Sequence, residues 1–485
     1  MIMLETAAAA LALSAAIVTT DHAVMRAAPR DSAQQQAQLW QGELLEVRGE
    51  RLDYLQVWDH RRERGGFVRA SQVRRTAMTA AEAPELLAVL GFVREAPGSE
   101  SLGIGLAAAY LKAAPAEALR GEAGIEALDA LGTLADRLAH RASWGATLNK
   151  TAQAAVAAQL EVAAHYGVNF RSTEREGRMQ ICYDGEALRR VLAMAAKPQQ
   201  QARAALALTR PECVDPSLQP LQKAQVDQWR AEVLDRVDAN ALPGYLKNRV
   251  QMRRAAVWST VAYQRARQGL PAEAVAQAAQ RSLDALGGVS KAELPDADAM
   301  AYADAAMRVG ANRWAALPAV ASPVGPRPSI TTVPGEPGET CVLLVDAKNG
   351  ADKPLARRCT YALVWPQSAV PNREGNALAL AVQPMEAWRE LWLFTREAGG
   401  WTVSVLPPAA SAPELGYAEF AGWVPGGKQV LVAREARAQD RHRRSFEVLR
   451  LATLAAERQA ADPAVLGPFL RWQDAGWKRA TVSLR

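Results

Sequence analysis

Histidine and cysteine, the residues on which most metal and nucleophile chemistry rests, are scarce here: five His and four Cys in 485 residues. The His stand at 22, 60, 140, 165 and 442, none near another or near a Cys. No H-E-x-x-H and no zinc-type spacing therefore exists, and a metal site would have to be assembled wholly by tertiary contact. No Cys lies in a C-x-x-C, which excludes a thioredoxin-type pair. There is no Walker A loop and no G-x-S-x-G elbow. Gly103-Ile104-Gly105 has neither a strand before it nor a third glycine, so it reads as the start of a helix rather than a dinucleotide loop. Carboxylate pairs such as Glu174 and Glu176 or Asp296 and Asp298 read as solvated loop charges. These absences leave no catalytic, cofactor-binding or metal-ligating residue to name, and the expectation is a protein that is not an enzyme.

No run of 18 or more uncharged apolar residues follows the N-terminus, so no integral membrane span is expected. The charge balance of 57 Lys and Arg against 51 Asp and Glu is a mild excess, a matter of solubility more than of partners. With 49% hydrophobic and 22% charged residues the chain should fold, and its length calls for more than one core.

What is present is organisation. Val18–Arg26, Glu43–Val47, Leu52–Trp58 and Gly66–Ala70 are short, rich in Val, Leu, Tyr and Phe, and separated by turn residues, a small β-barrel pattern. From 80 to 317 the period becomes helical. Val226, Trp229, Val233 and Val237 form one stripe, and Pro271 opens a helix that stops at Gly287-Gly288. The Ala-rich stretches Thr151–Ala164 and Ala299–Val309 read alike, giving seven to ten helices, either an irregular bundle or a TPR-like array. Residues 318–339 hold six Pro and predict an extended spacer. After it come β candidates at Cys341–Val345, Cys359–Trp365, Ala377–Val382, Glu390–Thr395, Trp401–Leu406, Gln429–Arg434, Ser445–Leu451 and Ala480–Leu484, with hairpin turns at Ala398-Gly399-Gly400 and Pro425-Gly426-Gly427. The seven Trp in this part are expected to fill a sheet core.

Two segments carry a family likeness. Ala23-Val24-Met25-Arg26-Ala27-Ala28-Pro29, Leu39, Gly42-Glu43-Leu44-Leu45-Glu46-Val47, Tyr54-Leu55-Gln56-Val57 and Gly65-Gly66-Phe67-Val68, taken in order, resemble a bacterial SH3-like domain over residues 17–75. The charged run Asp59-His60-Arg61-Arg62-Glu63-Arg64 stands where that family has a tight turn. The resemblance implies a small barrel that contacts peptidoglycan or a protein partner. Separately, Phe420-Ala421-Gly422-Trp423-Val424-Pro425-Gly426-Gly427-Lys428 and the apolar residues after it resemble a blade of the TolB-type β-propellers, near residues 417–434. A closed propeller needs four or more blades, more than about 150 residues supply.

The even cysteine count and the local pairs Cys182 with Cys213 and Cys341 with Cys359 suit two disulfides in an oxidising compartment; four buried thiols are the alternative. Ala7–Val18 has signal-peptide length, with a cleavage site suited to the small residues Ser14, Ala15 and Ala16, but Glu5 precedes it without any Lys or Arg. A signal peptide at 1–16 and a buried first element remain as two readings. Two basic clusters complete the inventory: Arg61, Arg62, Arg64, Arg69, Arg74 and Arg75, and the hairpin tip Arg441, His442, Arg443 and Arg444. They either solubilise edge strands or meet an anionic surface.

The sequence thus predicts a multidomain α+β protein: an SH3-like β-barrel at 17–76, an α-helical domain at 80–317, a Pro-rich linker at 318–339 and an antiparallel β domain at 340–485. The function expected is non-catalytic binding or scaffolding in the periplasm or cell envelope, with a cell-wall polymer or envelope protein as partner and no cofactor. A cytoplasmic nucleic-acid-binding accessory factor and a cell-wall hydrolase built from scattered residues are the alternatives.

Overall fold

The structure, a computed structural model, describes residues 14–145, 149–175, 177–318, 326–410, 413–438 and 441–484. The chain divides into two compact units, Met1–Gln219 and Pro220–Arg485.

The first unit opens with β1 (Ala15–Val18), β2 (Ala23–Arg26), β3 (Gln35–Leu39), β4 (Leu44–Arg51), β5 (Tyr54–Asp59), β6 (Arg64–Arg69) and β7 (Val73–Thr76). They form one antiparallel sheet in the order β3-β2-β6-β5-β4-β1-β7. Side chains alternate across a strand, so each contributes every second residue to one face. Ala16, Val18, Met25, Leu39, Leu45, Leu55, Val57 and Val68 meet in a single core. Ile17 points the other way, into a helical core with Leu86, Leu90, Ile104, Tyr110 and Leu134. All four residues of β1 are therefore buried. This corrects the expected cleavage site: a cut after Ala16 would sever a central strand, and the apolar run is continuous there because both faces of β1 are covered. The rest of the expected signal segment, residues 1–13, lies outside the described residues.

Helices follow as α1 (Ala83–Arg94), α2 (Glu100–Ala113), α3 (Ala116–Arg120), α4 (Glu122–Ser143) and α5 (Lys150–His165). The hairpin β8 (Phe170–Arg175) and β9 (Arg178–Tyr183) comes next, then α6 (Glu186–Ala193) and α7 (Pro198–Leu208). The hairpin interrupts the expected all-helical stretch. The 22-residue α4 is the centre of the unit, giving Ala127, Ala130 and Leu134 to one core and Ile125 and Leu128 to another beneath α6 and α7. The sheet is joined to these helices rather than separate from them. Gly42, at φ +88°, passes so close to Ser101 that a Cβ would lie 2.2 Å from its carbonyl oxygen, and the Tyr166 hydroxyl donates to Gly42 O at 2.6 Å. Gly103 and Gly105 lie inside α2, where a Cβ would meet Leu134 and Gly42 at 2.5 and 2.9 Å; close approach is what these glycines serve.

The second unit begins with α8 (Pro220–Asp235), α9 (Gly244–Arg267), α10 (Ala272–Gly287) and α11 (Ala299–Asn312). Pro271 caps α10 as its turn chemistry predicts. Between residues 80 and 317 the eleven α-helices among the described residues exceed the seven to ten expected because α3 is only five residues long and the breaks between neighbours are short. Then come β10 (Ser329–Pro334), β11 (Thr340–Val345), β12 (Ala356–Thr360), β13 (Leu363–Pro371), β14 (Ala377–Met385), β15 (Trp388–Glu397), β16 (Gly400–Leu406), β17 (Leu415–Val424), β18 (Gln429–Ala438), β19 (Arg441–Arg450) and β20 (Ala456–Ala460), and lastly α12 (Gly467–Trp472) and α13 (Ala475–Leu484). β10–β12 make a three-stranded sheet; β13–β16 and β17–β20 are successive antiparallel meanders joined by a short parallel pairing of β15 with β17. Leu378, Leu380 and Val382 of β14 meet Val342 and Leu344 of β11, while Ala377 and Ala379 share a core with Phe420, Val430 and Val432. The middle meander is thus covered on both faces, which is why β14 reads as an unbroken apolar run. The outer face of the last meander is closed by Phe469 and Trp477 against Phe446.

Several expectations fail in this unit. Ala480–Leu484 is the end of α13: Asp474 accepts from the Trp477 amide at 3.0 Å and starts a helix, and five alternating residues are too few to separate period 2 from period 3.6. The stretch 318–339 is not a spacer throughout, since β10 lies inside it and pairs with β11 along its length. Nor does the helical part stand apart from the sheets. Asn312 donates to Glu386 O at 2.9 Å and accepts from Gln383 at 3.0 Å, and Arg389 donates to Gly310 O at 2.6 Å. The division of the chain falls at Gln219/Pro220, inside the expected helical domain.

Candidate functional site

All four cysteines are bonded, Cys182 to Cys213 and Cys341 to Cys359, as their spacing predicts. The first bridge ties β9 to the turn Pro211–Cys213; the second joins directly opposed residues of β11 and β12. Cys182 therefore carries no free thiol to act as a nucleophile. Among the described residues one group of three donors lies within metal-binding range, Glu339, Cys341 and Cys359, but its sulfurs are bonded to each other. A thiolate is what a soft metal needs, and a disulfide sulfur does not supply one.

The expected charged insertion is a turn: Asp59 Oδ1 accepts from the amides of Arg61 and Arg62 at 2.9 and 3.3 Å, and Glu63 takes φ +49°. Five of the six arginines of the first cluster meet carboxylates. Arg62 pairs with Glu43 and Asp59 at 2.8 and 2.6 Å, Arg61 with Glu43 and Glu161, Arg69 with Asp31 and Asp53, Arg74 with Glu85 and Arg75 with Glu50. Arg64 donates to the Gln36 carbonyl at 2.9 Å. Hydrogen bonding to Glu43 raises the Arg62 guanidinium well above its ordinary value. The cluster is strongly basic as a list of residues and close to neutral as a surface. On the same sheet Arg48 stacks over Trp58, 4.4 Å from the ring centroid, and pairs with Glu46 at 3.0 Å, forming a stacked strip at the end of the β4–β5 hairpin away from its turn.

The second cluster is placed differently. The face of β18 and β19 that carries Ala433 and Phe446 in the core turns polar toward the hairpin end, where Glu435 faces Arg444 and Arg437 faces His442. α11 lies against this polar end: Asp304 accepts from Arg437 at 2.6 Å and is 2.8 Å from His442 Nε2. Glu435 pairs with Arg444 at 2.8 Å and accepts from the Tyr417 hydroxyl at 2.5 Å. Between these elements is a cleft of about 360 Å³ lined by Lys291, Tyr302, Met307, Glu435, His442, Arg443 and Arg444, among others. Lys291 stands 5.3 Å from the Tyr302 ring centroid. Neither Lys291 nor Arg443 has an ion-pair partner among the described residues, and both are exposed. Arg441 lies on the exposed end of β19, outside the lining. The sequence marked the hairpin tip. It carried no signal that Lys291 and Tyr302, some 140 residues earlier, would complete the cleft.

The buried charges elsewhere hold the fold. Arg389 is fully buried, donates to Glu419 at 2.9 Å and shares it with Arg313; burial pulls its guanidinium down to about 10, against the pull of Glu419. Burial alone would raise the Glu386 carboxyl, but Lys223 at 2.9 Å, Arg308 at 3.4 Å and the Thr260 hydroxyl together keep it below its ordinary value. In the first unit burial raises Asp136 despite its pair with Arg210 at 2.7 Å. Four of the seven C-terminal Trp, at 365, 388, 392 and 477, are buried core residues. Comparison with protein-family models, with curated proteins and with solved structures gives no match to this chain.

Proposed function

We propose that this is a non-catalytic binding or scaffolding protein of the periplasm or cell envelope. The observation that carries the reading is that every cysteine is bonded, with one bridge in each compact unit. Such bonds persist in oxidising compartments and are rare where thiols are kept reduced. No helix among the described residues is long and apolar enough to cross a membrane. The seven-stranded N-terminal sheet, with its single core, supports the SH3-like reading, and the stacked meanders support the blade-like one. The contact with cell-wall polymer or an envelope protein is assigned to the N-terminal sheet, at the strip formed by Arg48 and Trp58. Because the neighbouring arginines are matched by carboxylates, the strip offers stacking and hydrogen bonding rather than a field of positive charge, which disfavours a nucleic-acid partner.

Thiol counting on protein alkylated in its host, together with co-sedimentation on purified sacculi, tests both halves. The reading expects no free thiol, and sacculus binding lost in Trp58→Ala without a change in thermal stability. Four free thiols would overturn the compartment. Binding unchanged in the variant, or absent in the native protein, would overturn the assigned surface.

A further inference from the structure

We propose that the cleft between α11 and the end of the β18–β19 hairpin binds a monosaccharide-sized ligand carrying an acidic group, a carboxylate or a phosphate. This goes beyond the role given to the N-terminal sheet and stands without it, since every lining residue belongs to the second unit.

The charge of the lining comes first. Among the described residues the lining holds Lys291, Arg443 and Arg444 against one carboxylate, Glu435, an excess of two positive charges counting Lys and Arg against carboxylates. Glu435 is committed to Arg444 and to the Tyr417 hydroxyl, and Asp304 to Arg437 and His442. Among the described residues, the cations of the lining without an ion-pair partner are Lys291 and Arg443. Glu435 and Arg444 are already tied before a ligand arrives, so binding has to order only the exposed side chains of Lys291 and Arg443.

The shape and the floor decide what kind of anion fits. Ala303, Ala306 and Met307 of α11 give the cleft an apolar floor, and Met307 is 3% exposed and anchored in the core with Leu415 and Tyr417. Tyr302 adds an aromatic ring at the side. A volume of about 360 Å³ lies at the small end of ligand pockets. A bare inorganic anion would leave the floor and the ring unused, whereas a polymer of phosphates would need a longer run of cations than two. A sugar ring lies well on an apolar floor beside an aromatic ring, with its acidic substituent toward Lys291 and Arg443, where charge-assisted hydrogen bonds are about twice as strong as neutral ones.

The test uses the full chain with glucuronate, glucose 6-phosphate, glucose and inorganic phosphate, titrated by calorimetry at low salt. Both anionic sugars, or one of them, should bind at least tenfold more tightly than glucose, and their relative strength identifies the acidic group as carboxylate or phosphate. Lys291→Ala with Arg443→Ala should reduce that binding at least tenfold while leaving the unfolding temperature unchanged, since both side chains are exposed. Tyr302→Leu should weaken the sugars and leave inorganic phosphate unaffected. No binding of either anionic sugar at 10 mM, or binding unaltered in the double variant, overturns the proposal. Equal affinity for inorganic phosphate and glucose 6-phosphate overturns the role given to the ring and floor.

Discussion

Replacing Cys182 and Cys213 together with alanine removes the bridge across a separation of 31 residues. In the chain-entropy account the loss is 2.1 + 1.5R ln n in cal/mol/K, or about 3.7 kcal/mol at 25 °C; the same expression gives about 3.2 kcal/mol for the separation of 18 between Cys341 and Cys359. Alanine is the right replacement at Cys182, which is 6% exposed, because serine would bury a hydroxyl. The two bridges lie in different compact units, so each double variant should move its own transition and leave the other in place. Ten of the 13 Trp lie in the second unit, so tryptophan fluorescence mainly reports that unit, while far-UV circular dichroism follows both. With a urea slope of about 3 kcal/mol/M, the Cys182/Cys213 variant should lower the midpoint of the first unit by about 1.2 M. Reductant should do the same to the native protein and nothing further to that unit in the variant. A midpoint shift below about 0.3 M, or a reductant effect on the first unit that persists in the variant, would refute the reasoning.

Glu419→Gln leaves Arg389 and Arg313 without the carboxylate they share and should cost about 3–5 kcal/mol in urea unfolding of the second unit. Glu386 has a folded pKa held below its ordinary 4.5, so its contribution is complete above about pH 4.5 and is lost as the pH falls through the lower folded value. Glu386→Gln should accordingly flatten the acid limb of the stability profile, measured by urea midpoints between pH 7 and 3. If the chain is processed on export, N-terminal sequencing of the secreted form should find a first residue no later than Ser14, because Ser14 O accepts from Val47 N and Ala15–Val18 pair on both sides.

The legible parts of the fold are those where one physical signal dominates. The apolar segments that become β14, β15, β16, β18 and β19, the glycine turns at 399–400 and 426–427, and the proline that starts α10 each mark an element locally, whereas β17 is not among the expected strands and the expected strand Cys359–Trp365 is split between β12 and β13. The cysteine pairs were legible because each closes a short loop within one unit. What failed was long-range. β1 looks like the apolar core of a signal sequence because helices cover its second face, and nothing within residues 7–18 announces those helices. The prolines of 318–339 suggest a spacer, yet Ser329–Val333 has an edge position on the three-stranded sheet that tolerates Pro334 at its end. The unit boundary at Gln219 was hidden for the same reason: α8–α11 carry the same helical period as α1–α7, and it is long-range contacts, those of Asn312, Arg389, Glu386 and Asp304 among them, that tie the later set to the sheets.

The two arginine clusters show most clearly what composition leaves undecided. Six arginines within residues 61–75 look like a binding surface, but antiparallel pairing brings Glu43, Glu50, Asp53 and Asp59 to the same strands, and five of the six arginines are matched. Arg443 and Arg444 look weaker by count. They become the better candidate because, among the described residues, β18 supplies only Glu435 opposite them, while α11 and the turn at Lys291 close a cleft whose described lining adds one cation and no further carboxylate. A basic run is therefore informative only together with the strand it pairs with. Where the partner strand is rich in acid, the charges hold the sheet; where it is poor, they remain available to a ligand.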